Sequence, residues 1–337
     1  MGKVKLPASI SKLCHLQTLI VYQGNCRLSS NILYLPPEIW KMPPEIRHLS
    51  FKRSFLPCPS GDRDGKSIVV LENLQTLTEV LKFRCTKEFI IMMLNLKKLG
   101  ISYYHDESTQ WSCYCRDNFV HLENLEILKC VFIPKYDLPS SDHLLALNLA
   151  FPPSLKKLTL SGCVLPWKHM TIVGSLPNLE VLKLKDNAFK GPVWELNEGE
   201  FCQLKFLFLI DTDLEHLKAD ETHFLSLQWL TFSHCSQLAE IPCEIVEIPT
   251  LQVIEVYGSS LSALISAKFV KEEQQREGND SLQIYFGASE FLRCQILVQQ
   301  KLNLADEKGL KTRIVMFLAD KGSEEKISIS DFVFSTY

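Results

Sequence analysis

The chain has 337 residues, 46% hydrophobic and 22% charged, which is the composition of a globular protein and not of a disordered one. Its formal charge of -3 lacks the basic excess expected of a general nucleic-acid binder, and 12 cysteines are too few for a disulfide scaffold. No apolar run reaches the roughly 18 residues of a spanning helix, and Met1–Pro7 has neither a signal-peptide core nor a myristoylation pattern, since Leu6 stands where Ser or Thr is needed. A cytoplasmic protein with reduced thiols is expected.

One frame recurs along the chain: apolar-x-x-Leu-x-x-Leu-x-apolar. It begins as Leu13-Leu16-Leu19-Val21, Pro43-Ile46-Leu49-Phe51 and Leu71-Leu74-Leu77. It continues as Met93-Leu96-Leu99-Ile101, Leu122-Leu125-Leu128-Cys130 and Pro152-Leu155-Leu158-Leu160. The last four copies are Leu176-Leu179-Leu182-Leu184, Phe201-Leu204-Leu207-Leu209, Phe224-Leu227-Leu230-Phe232 and Ile248-Leu251-Ile254-Val256. Nine steps carry the second position from Leu16 to Leu251, about 26 residues each, within the range of leucine-rich repeats. Neighbouring strands in such an array pair in parallel and their leucines stack into one core.

Two further columns accompany the frame. Eight residues after the anchor stand Ser54, Cys163, Asn187, Thr212, Cys235 and Ser259, all small or polar, as a turn with unpaired backbone groups requires. Cys163 and Cys235 are therefore read as buried turn residues without a redox role. The third column is Leu6-Pro7-x-x-Ile10-x-x-Leu13, Leu35-Pro36-x-x-Ile39-x-x-Met42 and Ile241-Pro242-x-x-Ile245-x-x-Ile248, where Pro fixes φ on the convex side.

With these columns the chain resembles the leucine-rich-repeat region of plant intracellular nucleotide-binding immune receptors. The phrases Leu-Pro-Ala-Ser-Ile-Ser-Lys-Leu (6–13), Leu-Glu-Asn-Leu-Gln-Thr-Leu (71–77) and Leu-Glu-Val-Leu-Lys-Leu-Lys-Asp-Asn-Ala-Phe (179–189) are similar to the solanaceous late-blight-resistance group. The likeness covers about residues 4–286. Coiled-coil and nucleotide-binding domains precede the repeats in such receptors. Here Met1 falls directly into a repeat, so the chain reads as a fragment or truncated product without the family's ATP binding.

The expected fold is α/β: a leucine-rich-repeat solenoid over 1–286, with a curved parallel sheet of about ten repeats, then a small β-α-β tail over 287–337. Alternate strand positions point away from the core. They hold Tyr22, Ile127, Val131, Lys183 and Lys185, then Phe206, Phe208 and Ile210, then Trp229 and Tyr257. Exposed aromatics on adjacent repeats form a patch of the kind that marks a partner, and Tyr and Trp are frequent hot-spot residues. Lys183 and Lys185 suit an acidic partner or a solvated face.

Residues 54–70 and 102–118 read as loop insertions. Gly61-Asp-Arg-Asp-Gly65-Lys66-Ser67 has three residues between its glycines where a phosphate loop needs four. Cys113-x-Cys115 with His105 and His121 is too closely spaced for an ordinary zinc pair. No hydrolase or metalloprotease motif is present, so neither catalysis nor a metal or cofactor is expected.

Residues 271–281 are a charged stretch read as exposed, and Ser281–Phe286 as a last capping strand. Gln295–Leu304 and Lys326–Ser330 are expected as strands. A helix is expected over Asp306–Asp320, N-capped by Asp306, with Leu310, Ile314 and Phe317 on its apolar face. This strand-helix-strand resembles half of a heavy-metal-associated domain. Leu304, Asp306 and Gly309 occupy the positions of its Met-x-Cys-x-x-Cys loop, so no soft-metal binding is implied; a plain cap of the array fits the segment equally.

The resemblance implies a non-enzymatic recognition domain of a plant immune receptor. Its partner would be a pathogen effector protein or the receptor's own nucleotide-binding domain, the latter an autoinhibitory contact. A leucine-rich-repeat substrate adaptor of a ubiquitin ligase is the alternative, lacking the helical F-box-like segment that it would need.

Overall fold

The computed structural model describes residues 4–5, 7–21, 33–57, 69–104, 116–133, 150–219, 222–242, 244–245, 248–276, 282–286, 313–316 and 332–335. Backbone contacts divide the chain into two compact units, Met1–Leu182 and Lys183–Tyr337.

The first unit is a stack of parallel strands. β1 (Val4–Lys5) pairs with β3 (Leu33–Tyr34), and both β2 (Thr18–Val21) and β3 pair with β4 (His48–Phe55). The ladder continues through β5 (Thr76–Leu81), β6 (Lys98–Tyr104), β7 (Ile127–Ile133) and β8 (Lys157–Ser161). Two short helices, α1 (Lys87–Met92) and α2 (Thr171–Gly174), and strand β9 (Leu165–Pro166) lie in the connections.

β2 and β4 to β8 each start two residues after a repeat anchor, and the anchors carry the core. Ile46, Leu74, Leu125 and Leu155 are fully buried. Burying a leucine of this kind contributes roughly 1.5–3 kcal/mol. The first repeat differs, since its Leu13 is 53% exposed whereas the equivalent Leu122 is 1% exposed. The proline column forms short 3-10 turns at Ala8–Lys12 and Pro37–Lys41. In both, the residue three after Pro returns a hydrogen bond: Ile10 N–H to the Pro7 carbonyl at 3.2 Å and Ile39 N–H to that of Pro36 at 3.0 Å.

The residue before the anchor is a further column, which the sequence reading did not use. Asn73, Asn95, Asn124 and Asn178 each donate a side-chain N–H to a carbonyl one repeat back, on Pro44, Glu72, Leu94 and Pro153, at 2.8–2.9 Å. The recurring Asn-Leu pair was its signal. These bonds satisfy convex-side carbonyls that no strand reaches.

The second unit repeats the scheme. β10 (Val181–Lys185) carries the boundary between the units and lies beside β13 (Phe206–Ile210). Between them run β11 (Phe189–Lys190) and β12 (Val193–Glu195), the latter paired with β14 (His216–Lys218). β13 pairs in parallel with β15 (Trp229–Ser233), then come β16 (Val253–Tyr257) and β17 (Gln283–Phe286). β17 is the capping strand expected at 281–286. Trp194, Phe201 and Phe224 fill the core as a trio, with centroids 5.5–6.1 Å apart.

In both units the chain leaves a strand through left-handed backbone. Gly162 follows β8 at φ 66°, while Asp186, Asp211, His234 and Gly258 follow β10, β13, β15 and β16 at 52–60°. Asp and Gly are types that tolerate this region. At Gly162 a Cβ would stand 2.1 Å from the Phe132 carbonyl oxygen, so only glycine fits.

Two expectations for the C-terminal part are corrected. Residues 261–276 form a helix, α3 (Leu261–Arg276), and Lys271 and Gln274 on it are buried, so the start of the charged stretch is not an exposed run. Ala263, Leu264, Ala267 and Val270 bury one face at helical spacing. The Ser260 hydroxyl accepts from Ala263 N–H at 3.0 Å, as an N-cap does. In the tail, β18 (Arg313–Met316) falls inside the expected Asp306–Asp320 helix and pairs antiparallel with β19 (Phe332–Ser335). Adjacent β-branched Ile314 and Val315 favour a strand over a helix. The expected strands Gln295–Leu304 and Lys326–Ser330, and the loop positions Leu304, Asp306 and Gly309, lie outside the described residues.

Candidate recognition surface

The non-core face of the second unit gathers most of the positions singled out by alternation. On β13, Leu207 and Leu209 are fully buried, whereas Phe206, Phe208 and Ile210 are half-buried on the other side. Register sets these side chains in rows across strands about 4.8 Å apart. One row runs Phe206, Trp229, Val253, and the next runs Phe208, Thr231, Glu255, Tyr285. The third is Ile210, Ser233, Tyr257. None of the aromatics in these rows stands fully out in solvent, because large side chains on neighbouring strands cover one another.

The polar groups of this face are ordered. Trp229 Nε1–H donates to Thr231 Oγ1 at 3.2 Å, Thr231 Oγ1 lies 3.2 Å from Glu255 Oε2, and the Tyr257 hydroxyl donates to Glu255 Oε1 at 3.0 Å. Lys183 Nζ sits over the Phe208 ring, 4.3 Å from its centroid, a cation–π contact. Lys185 occupies the same face of β10, half-buried. Glu255, Thr231 and Tyr285 are members that sequence reasoning missed. The alternation Val253-Ile-Glu255-Val-Tyr257 was the available signal for the first of them.

The first unit presents a different face. Ile127 and Val131 are half-buried on β7, with exposed Lys129 between them. Around them stand hydroxyls and lysines. His48 Nδ1 and Thr76 Oγ1 are 3.1 Å apart, and Thr78 Oγ1 donates to Ser50 Oγ at 2.9 Å. Arg53 donates to the Tyr104 hydroxyl and stacks on its ring at 5.4 Å. Tyr22, the remaining candidate, lies outside the described residues, as do the Gly61–Ser67 loop, His105, Cys113 and Cys115.

The turn column is buried at Ser54, Cys163, Thr212, Cys235 and Ser259 and half-buried at Asn187. Cys235 Sγ donates to the Leu209 carbonyl at 3.4 Å, and Cys235 N–H donates to Ser259 Oγ at 3.2 Å. Burial pushes the Cys235 thiol up to about 12, so it stays protonated and unreactive at neutral pH. Asn187 Oδ1 accepts from Asp213 N–H at 3.0 Å. Among the described residues, no group of three His, Cys, Asp or Glu could hold a metal, and no helix is long and apolar enough to cross a membrane.

The chain matches no protein-family model. It is 28% identical over 345 residues to the putative late blight resistance protein homolog R1B-12 of Solanum demissum, covering 98% of this chain and 24% of that protein. To homolog R1B-13 of the same plant it is 30% identical over 289 residues, covering 82% of this chain and 23% of the relative. The chain thus spans less than a quarter of the length of these curated relatives. A solved leucine-rich-repeat protein of Leptospira interrogans is 17% identical, covers 83% of this chain and 81% of its own, and has a TM-score of 0.32. The repeat architecture rests on the strand register above and not on that likeness. The chain is a leucine-rich-repeat homologue of the late-blight-resistance group of plant disease-resistance proteins.

Proposed function

We propose that this stretch is a non-enzymatic recognition part of a cytoplasmic plant immune receptor, sensing a pathogen protein or holding the receptor off through its nucleotide-binding domain. The observation that carries the reading is the ordered aromatic face of the second unit: Phe206, Phe208, Trp229 and Tyr257 around Glu255. Half-buried aromatics on rigid strands lose little entropy on binding and are the residue types that dominate interfaces. The names of the relatives support the defence setting.

The test pairs the full chain with the nucleotide-binding region of a late-blight-resistance relative in co-purification. The wild type is compared with the triple variant Phe206→Ala, Phe208→Ala, Trp229→Ala, both checked by circular dichroism. Retention by the wild type and loss by a folded triple variant is the expected result. Equal retention by both removes the aromatic face from the reading.

A further inference from the structure

The sheet face of the first unit holds a depression of about 430 Å³, lined by Ser50, Thr78, Glu79, Lys98, Gly100 and Lys129 among others. Its shape follows from a bulge. Between Leu77 and Val80 the register of β5 against β6 shifts, so Thr78 and Glu79 together face Gly100. Glu79 takes φ 63° at this point. Gly100 has no side chain to fill the space, and the nearest neighbour of a Cβ there would be Thr78, at 3.4 Å.

The charges around it are unequal. Lys129, register partner of Gly100 on β7, reaches across β6 to Glu79, Nζ to Oε1 3.4 Å. Lys98 and Lys157 flank Ile127 in the next row, both exposed, and have no ion-pair partner among the described residues. The one carboxylate lining the depression, Glu79, is therefore held by Lys129, while Lys98 is left over and the Ser50 and Thr78 hydroxyls complete the polar lining.

We propose that this depression receives a carboxylate side chain from an acidic segment of a partner protein. The incoming carboxylate pairs with Lys98 and competes with Glu79 for Lys129, hydrogen-bonding at the hydroxyl floor. Charge complementarity names the partner's chemistry. A single-stranded nucleic acid fits less well, since such sites stack bases on aromatic platforms, and the rows His48, Thr76, Lys98, Ile127, Lys157 and Ser50, Thr78, Gly100, Lys129, Thr159 hold no Phe, Tyr or Trp. The proposal shares with the proposed function only the premise that the sheet faces bind protein; it concerns other residues and a separate variant set.

The probe is a labelled (Glu-Ser)5 peptide titrated against the full chain at low salt, with (Gln-Ser)5 and oligo(dT) of equal charge as comparisons. Lys98→Ala is expected to weaken the acidic peptide about three- to tenfold. Glu79→Gln removes the competing carboxylate and is expected to tighten binding about threefold. Gly100→Val fills the depression and is expected to abolish binding, while Lys41→Ala, an exposed charge on a convex 3-10 turn, leaves it unchanged. Should Gly100→Val fail to fold, the opposite signs for Lys98→Ala and Glu79→Gln still decide. The aromatic triple variant keeps peptide binding if the two surfaces are separate. Binding equal to (Gln-Ser)5, weakening by Glu79→Gln, equal loss in Lys41→Ala, or tighter binding of oligo(dT) each overturns the proposal.

Discussion

The two units carry the same frame and bury the same leucine columns, yet their non-core faces have different chemistry. In the first, β4 to β8 present hydroxyls and lysines around a glycine-floored depression. In the second, β13, β15 and β16 present half-buried aromatics around one hydrogen-bonded carboxylate. The repeat fixes where side chains stand but leaves the chemistry of alternate positions free. Recognition can diverge there from repeat to repeat without cost to the core.

The comparison breaks if the cores are not equivalent. Leu158 on β8 and Leu207 on β13 are both fully buried. Leu158→Ala and Leu207→Ala are each expected to destabilise by about 2–5 kcal/mol in urea denaturation, whereas Phe208→Ala on the half-buried face costs distinctly less. A difference above about 2 kcal/mol between the two leucine variants would show that the units do not share one packing scheme.

Backbone turns sharpen it next. Gly162→Ala forces Cβ against the Phe132 carbonyl in left-handed backbone, an expected loss of about 1–3 kcal/mol from the conformation alone with the collision added. Asp186→Gly at the equivalent turn of the second unit relieves that conformation, and thermal melting should move in the opposite direction or not at all.

The turn column separates the units at a finer level. Ser259 Oγ accepts from Cys235 N–H and lies 3.1 Å from the Tyr257 carbonyl, so Ser259→Ala should cost about 1–3 kcal/mol by leaving a buried N–H unpaired. Ser54, its counterpart in the first unit, is fully buried with a hydroxyl that has no hydrogen-bond partner among the described residues. Ser54→Ala should therefore raise stability by about 1 kcal/mol. Cys235 adds a pH signature. Its thiol is raised from 9.0 to about 12 on folding, so its stabilising contribution is intact below pH 9 and declines as pH rises toward 12. Denaturation followed across that window should show a decline that Cys235→Ala reduces, and alkylation at pH 8 should label exposed Cys14 and Cys202 but spare Cys235.

The strand positions and the core were legible because leucines at fixed spacing report burial directly. Ten anchors gave ten strands, and the segment Ser281–Phe286 contained the further strand β17. The candidate face was legible in part: alternation located Phe206, Phe208, Ile210, Trp229 and Tyr257, but not Glu255, whose role depends on Thr231 and Tyr257 meeting it across strands. The Gly100 depression was not legible, because it comes from a register shift that no residue type announces. Helix α3 was overlooked because charges at 271–276 masked a helical face set by Ala263, Ala267 and Val270. The tail misled because Leu310, Ile314 and Phe317 fit a helical period, while the β-branched pair Ile314-Val315 followed its strand preference.

The smallest expected effect is also the one that separates stability from recognition. The Lys129–Glu79 pair is about half exposed on both sides, at 52% and 44%. Exposed pairs of this sort contribute about 0–1 kcal/mol, screened further by salt. Glu79→Gln keeps the length of the side chain and its left-handed backbone, so unfolding free energy should change by less than about 0.5 kcal/mol. If the pair instead supports the fold, the variant will lose more than about 1 kcal/mol and the loss will shrink as salt is raised. A near-zero change would mean that Glu79 stands in the bulge as an occupant of Lys129 and not as a prop of the sheet. That is the role left open for a carboxylate that an acidic partner can displace.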